Sequence, residues 1–216
     1  MIRYRTPMTT IYLIRHGEND FIGKSPKLAG WLPGVHLNDR GREQANALAE
    51  YFSKIRLRAI YSSPLERTME TAEPIAKVKG LSIETREGLG EIRYGRWEGQ
   101  LIKTLSKRKL WSIIQNTPSL ARFPEGESFV EAQDRAVSEI ESLRSIHKST
   151  DTSFACVSHA DVIKLIVAHY LGQPLDLFHR LIVMPASISI LQIDRVPRLV
   201  TLNDMRATRQ GSADRE

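Results

Sequence analysis

The chain has 216 residues, of which 41% are hydrophobic and 26% charged, and its formal net charge is +6. This composition is ordinary for a soluble globular protein, and no apolar run reaches the ~20 residues that a membrane-spanning helix needs. The N-terminus lacks the apolar core of a secretory signal, and Cys156 has no second cysteine for an internal disulfide. We therefore predict a cytoplasmic protein without membrane association. Its basic residues are too dispersed to indicate a nucleic-acid partner.

Strand-like and helix-like segments alternate along the chain. Short apolar runs predict strands at 10–14, 58–61, 81–83, 153–157, 187–194 and 198–202. Periodicity and capping signals predict helices at 39–52 with Asn38 as N-cap, from a capping box at 63–66 onward, at 100–115, from a second capping box at 128–131 to about 147, and at 162–171. This alternation indicates an α/β fold, namely a three-layer sandwich with a mainly parallel central sheet and helices on both faces.

The same alternation predicts where a functional site would lie. We expect one domain over residues 1–204 and a flexible tail over 205–216, with segments 23–36 and 92–127 forming a lid. Right-handed crossovers place the carboxyl ends of parallel strands on one rim of the sheet. Because His16 and His159 each follow such an end, we expect them to be neighbours despite their separation in sequence.

The segment after the first strand suggests chemistry at a phosphorus atom. His16 stands between Arg15 and Gly17, and a histidine beside a fixed cation is suited to attack an anionic phosphorus centre. Gly17 allows a tight turn and removes a side chain that would obstruct a ligand. Arg67 follows Ser63 by four residues, so in a helix both would lie on one face and Arg67 could point toward the strand end.

Two further segments add polar groups to the same rim. His159 follows an apolar strand and precedes the helix predicted at 162–171, whose unpaired backbone N–H groups favour an anion. Glu91 lies in a loop rich in glycine and aromatic residues. Its carboxyl group is interpreted either as a proton donor or as part of a salt bridge that braces the loop.

Six segments occur in an order typical of one family. They are Arg15–Glu18, 37–45, 61–68, 91–99, 126–128 and 157–159. Together they resemble the histidine phosphatase superfamily, also called the phosphoglycerate mutase-like family, over most of the chain. The resemblance implies that His16 is the nucleophile that becomes a phosphohistidine.

The same resemblance implies roles for the other matched residues. Arg15, Arg67 and His159 would bind the phosphoryl oxygens, and Glu91 would protonate the leaving oxygen and later activate water. Phosphoryl transfer spreads negative charge over oxygens, so fixed cations and N–H donors are the expected catalytic groups. The implied activity is hydrolysis of a small phosphorylated metabolite.

Two positions depart from the family pattern. A glycine commonly follows the second histidine, and here Ala160 stands in its place. An asparagine is common six residues after the first histidine, where this chain has Ile22. Asn19 is a candidate substitute contact, and Gly17, Asn19 and Ala160 join the predicted phosphate- and substrate-binding residues.

Other phosphatase chemistries fit the sequence poorly. A cysteine phosphatase needs an arginine six positions after its cysteine, but Val162 occupies that position relative to Cys156. The six histidines lack metal-ligand spacing, and no P-loop or dinucleotide fingerprint occurs. We predict no metal and no cofactor.

Two alternative functions stay open. A cofactor-dependent phosphoglycerate mutase would return the phosphoryl group to a bound monophosphate, but such mutases resemble one another in a longer, arginine-rich insertion before the second histidine. A non-catalytic phosphoprotein- or nucleic-acid-binding module would need neither His16 nor Glu91. The sequence leaves the oligomeric state undetermined, and a homodimer is the default expectation because dimers are the commonest soluble oligomers.

Overall fold

Six strands form one sheet within residues 7–147 and 151–209, the parts of the chain that the computed structural model describes. The sheet order is β3-β2-β4-β1-β5-β6, with strands β1 Thr9–Arg15, β2 Ala59–Ser62, β3 Ile83–Thr85, β4 Thr152–Ser158, β5 Ile188–Ile193 and β6 Pro197–Asp204. The first four strands pair in parallel, while β5 is antiparallel to β1 and to β6. The predicted mainly parallel sheet is confirmed.

Helices cover both faces of this sheet. The helices are α1 Asp39–Ser53, α2 Glu66–Lys79, α3 Ile102–Leu105, α4 Lys109–Asn116, α5 Phe129–Ile146, α6 Ala160–Tyr170 and α7 Arg206–Arg209. Because strand side chains alternate between faces, β1 contributes Ile11 and Leu13 to one core, with α5 and α6. It contributes Ile14 to the other core, with α1 and α2. The predicted three-layer arrangement is therefore confirmed.

Two predicted helix starts have the expected caps. The Asn38 side chain accepts a hydrogen bond from the Gly41 N–H at the start of α1. At α5, Ser128 and Glu131 form the reciprocal capping box. These local signals position the first turns of both helices correctly.

The predicted capping box at 63–66 is wrong. Helix α2 begins at Glu66, its N-cap is Leu65 in an extended conformation, and no side chain caps it. The Ser63 hydroxyl instead hydrogen-bonds the ring of His159, 2.9 Å away. A tertiary partner thus takes the side chain that the local pattern assigns to a cap.

Three other boundaries differ from prediction. The single helix expected at 100–115 is divided into α3 and α4, because the Ser106 hydroxyl donates back to the Lys103 carbonyl and Arg108 is extended. Strand β3 begins two residues late, at Ile83, because Leu81 N–H still bonds the last turn of α2. Within the predicted tail, residues 206–209 form α7, which packs against α1, and residues 210–216 lie outside the described part.

Candidate active site

The two signature histidines meet at the carboxyl ends of adjacent strands. Strands β1 and β4 pair in parallel with Arg15 opposite Ser158, so His16 and His159 leave the sheet side by side. The backbone N–H of His16 donates to the Ser158 carbonyl at 3.0 Å, and the centroids of the His16 and His159 rings lie 5.3 Å apart. The predicted convergence of these residues on one rim is confirmed.

The hydrogen bond of His16 identifies its unprotonated nitrogen. Nδ1 lies 2.7 Å from the Gly17 carbonyl oxygen, which can only accept, so Nδ1 carries the proton and donates. Burial, followed by the charges of Arg67 and Arg15, holds the pKa of His16 well below its ordinary value. The ring is therefore neutral near pH 7, and its Nε2 has a free lone pair.

His159 has the opposite tautomer. An arginine cannot accept a hydrogen bond, so Arg67 Nη2 donates to His159 Nδ1 at 3.3 Å. His159 Nε2 therefore carries the proton and donates to Ser63 Oγ at 2.9 Å. Burial and the nearby Arg67 charge hold the pKa of His159 well below its ordinary value. Sequence reasoning did not assign Ser63 this contact.

Arg15 and Arg67 supply N–H groups that are not used within the described residues. One Arg15 nitrogen donates to the Val183 carbonyl at 2.8 Å, and one Arg67 nitrogen donates to the Gly30 carbonyl at 2.9 Å. The Nε of both side chains and Nη1 of Arg67 are buried without a described partner. Because buried donors in native proteins are nearly always satisfied, these groups suit an anionic ligand.

Glu91 lies next to His159 and can carry a proton near neutral pH. Its Oε2 is 3.8 Å from His159 Nδ1, and its Oε1 accepts the Ile92 N–H at 3.0 Å. Burial first, and the negative charge of Asp161 second, raise the pKa of Glu91 to about 7 against the opposing effect of Arg67. A carboxyl group with this pKa can both donate and accept a proton near neutrality.

The remaining predicted binding residues take different positions. Asn19 and Ala160 line the cleft, and the Asn19 Oδ1 accepts the Phe21 N–H at 3.0 Å. Gly17 serves close packing: its N–H donates to Thr71 Oγ1, and an added Cβ would come within 2.7 Å of the Gly41 carbonyl oxygen. The space next to Gly17 is therefore occupied by the backbone of helix α1. This corrects the prediction that Gly17 leaves space for a ligand.

These groups lie at the base of a cleft of about 480 Å³. Residues 26–29, Tyr94 and Ile102 line it from the two segments predicted as a lid. A third wall comes from 179–184, which sequence reasoning did not place there. His179 is part of this wall, and its Nε2 donates to the Ile114 carbonyl at 3.0 Å. Residues 179–184 lie after the last of the six sequence segments, at 157–159, and no sequence motif marks them.

An ion pair closes the side of the cleft next to Glu91. Lys164 Nζ donates to Asp161 Oδ1 at 3.0 Å, and the Tyr94 hydroxyl lies 3.4 Å from Asp161 Oδ2. Burial disfavours the charged form of Asp161, but Lys164 outweighs it and holds the pKa of Asp161 below its ordinary value. Asp161 thus stays negative and adds to the rise in the pKa of Glu91. The spacing of Asp161 and Lys164 by three residues on α6 was the available sequence signal.

The chain belongs to the histidine phosphatase superfamily. The family model described as histidine phosphatase superfamily, branch 1, matches residues 11–205. This confirms the resemblance inferred from the six sequence segments. In the described part of the chain, no helix combines the length and apolar character needed to cross a bilayer.

Particular relatives include both phosphatases and mutases. The chain is 29% identical over 194 residues to phosphoserine phosphatase 1 of Hydrogenobacter thermophilus, covering 87% of this chain and 88% of that protein. It is 30% identical over 197 residues to the probable phosphoglycerate mutase GpmB of Photorhabdus laumondii, covering 90% and 89%. A solved structure of phosphoserine phosphatase from Entamoeba histolytica with 3-phosphoglyceric acid matches with a TM-score of 0.82 and 26% identity, covering 93% and 99%.

Proposed function

We propose that this protein hydrolyses small phosphomonoesters through a covalent phosphohistidine on His16. One observation carries the proposal: a neutral His16 with a free Nε2 lines the same cleft as Glu91, a carboxyl group whose pKa is raised to about 7. Nucleophile and acid are therefore both in the protonation state that the reaction needs at neutral pH. A site that only binds phosphate would need neither.

In the first step, His16 Nε2 attacks the phosphorus atom of the substrate. The new N–P bond forms as the bond between phosphorus and the ester oxygen breaks, and Glu91 gives its proton to the departing oxygen. The free N–H groups of Arg15 and Arg67 are placed to bind the phosphoryl oxygens as charge spreads over them. Negative charge on the bound phosphate favours the protonated ring of His159, so its Nδ1 would take up a proton from solvent on substrate binding and join them as a donor.

In the second step, water attacks the phosphohistidine. The ionised Glu91 takes a proton from the water, a P–O bond forms, and the N–P bond breaks to release inorganic phosphate. His16 returns to its neutral form with Nδ1 still donating to Gly17. Glu91 ends protonated, ready for the next substrate.

The leaving group is proposed to be that of a small phosphorylated metabolite. Relatives named as phosphoserine phosphatases and the cleft of about 480 Å³ support this size class. We further propose that 23–36 and 92–127 act as a lid within a single catalytic domain over 1–204. Because the steps above use only water and side chains of this chain, we propose a metal-independent reaction. A cytoplasmic location is proposed because Cys156 is a free thiol, as is usual in a reducing compartment.

Trapping of the covalent intermediate tests this function. Wild-type protein is mixed with a ³²P-labelled phosphomonoester and quenched in alkali, and the labelled peptide is identified. We expect label on His16, lability in acid, and no label in His16→Ala. The matched control is His147→Ala, because His147 bonds Tyr61 away from the cleft and should label normally. Label that persists in His16→Ala, or turnover without any labelled protein, contradicts the proposal.

The same assay separates hydrolysis from phosphoryl transfer. The relative named as a probable phosphoglycerate mutase makes transfer the second candidate. A hydrolase releases the label as inorganic phosphate whether or not 3-phosphoglycerate is added. A mutase instead transfers the label to the added acid. Loss of turnover in His16→Ala with unchanged biological activity would favour the binding module.

A further inference from the structure

Helix α1 holds the peptide group that fixes the protonation of His16. The Gly17 carbonyl, which accepts the Nδ1 proton, and the Glu18 N–H belong to one peptide group. That N–H donates at 2.8 Å to Oε1 of Gln44, a side chain that is 8% exposed. One rigid peptide plane therefore connects the Gln44 amide to the His16 ring.

Backbone packing prevents this peptide from turning. An added Cβ on Gly17 would come within 2.7 Å of the Gly41 carbonyl oxygen, and one on Gly41 within 2.1 Å of the Glu18 carbonyl oxygen. The Glu18 carbonyl also accepts the Asn38 N–H at 3.1 Å. Residues on both sides of the plane are thus in contact with the start of α1. This start lies in segment 37–45, to which the proposed reaction gives no role.

We propose that Gln44 is a positioning residue that selects the reactive tautomer of His16 through the Gly17–Glu18 peptide. This inference rests on the proposed function, because only a nucleophilic His16 needs an unprotonated Nε2. Donation by the Glu18 N–H polarises the peptide and strengthens the Gly17 carbonyl as an acceptor. The proton is then held at Nδ1, because the hydrogen bond at one imidazole nitrogen decides which nitrogen is protonated.

The consequence for catalysis is specific. Without an acceptor at position 44 the Glu18 N–H no longer polarises the peptide, the Gly17 carbonyl becomes a weaker acceptor, and part of the population carries the proton at Nε2. That fraction cannot attack phosphorus. Arg15 and Arg67, which are proposed to bind the phosphoryl oxygens, do not contact Gln44 through any described hydrogen bond, so substrate binding should change little.

The experiment compares Gln44→Leu with wild type by ¹⁵N NMR of the His16 ring and by steady-state kinetics. We expect the Nδ1-protonated form in wild type and a mixture in the variant. We also expect kcat to fall about tenfold, the effect of losing one hydrogen bond of ordinary strength, with KM changed less than about twofold. Gln44→Glu keeps an acceptor oxygen and should retain the wild-type tautomer.

Leu48→Ala is the matched control for a purely structural effect. Leu48 is fully buried on the same helix but lies in the apolar core, so its truncation should lower Tm and leave the tautomer and kcat unchanged. An equal loss of kcat in Leu48→Ala, or an unaltered tautomer in folded Gln44→Leu, overturns the inference. If Gln44→Leu does not fold, Gln44→Met provides the same comparison. Labelling of His16 in wild type together with an unaltered tautomer and kcat in Gln44→Leu would reject the inference alone, whereas no labelling in wild type would reject the proposed function.

Discussion

Replacing Glu91 by glutamine should stabilise the protein while it removes the proposed acid. The Glu91 side chain is only 13% exposed, and burial together with Asp161 raises its pKa from 4.5 to about 7. In the unfolded chain the same group titrates near its ordinary pKa. Between these two values the folded protein holds a proton that the unfolded chain has released.

The sign and size of the effect follow from this difference. Stability is highest below the unfolded pKa, falls as pH rises through the window from 4.5 to about 7, and stays low above it. At about 1.36 kcal/mol for each pKa unit, ionisation of Glu91 costs the folded state on the order of 3 kcal/mol above neutrality. Glutamine does not titrate, and its carbonyl can still accept the Ile92 N–H.

Urea unfolding of wild type and Glu91→Gln at about pH 5 and about pH 8 measures this effect. We expect the difference in unfolding free energy between Glu91→Gln and wild type to shift in favour of the variant by about 2–3 kcal/mol from about pH 5 to about pH 8. Glu131→Gln is the control without this pH dependence, because Arg122 and the Ser128 N–H lower the pKa of Glu131 to about 2 and its linked change in stability lies below this pH range. A stability difference for Glu91→Gln that does not change with pH would refute the argument.

Two further predictions concern activity, and a third concerns stability. In wild type, kcat/KM should decline as pH rises above about 7, where Glu91 of the free enzyme ionises, and pH–rate profiles of Glu91→Gln should lack that decline at a rate about 10²–10⁴ lower. Arg67→Lys removes buried N–H donors, so kcat/KM should fall by about 10²–10³ in phosphate-release assays. A fall of less than about threefold would contradict the proposal that Arg67 binds the phosphoryl oxygens. Ser63→Ala leaves the buried His159 Nε2–H without its acceptor, so urea unfolding should show a loss of about 1–3 kcal/mol, and unchanged stability would argue against this hydrogen bond.

The sequence by itself determined the fold class and the residues that meet at the rim. Alternating strands and helices are dictated by local periodicity, and parallel strands with right-handed crossovers bring their carboxyl ends together. His16 and His159 could therefore be predicted as neighbours, and their strands are adjacent in the sheet. Caps such as Asn38 were predictable because a cap depends on residues a few positions away.

Only the tertiary structure decided which polar atoms are satisfied and by what. Ser63 reads locally as a helix cap, yet its hydroxyl bonds His159, 96 residues away, because the folded chain places the buried ring next to it. The raised pKa of Glu91 likewise needs the burial and the Asp161 charge that packing supplies. Protonation depends on distances of a few ångströms between distant segments, and local sequence patterns do not contain those distances.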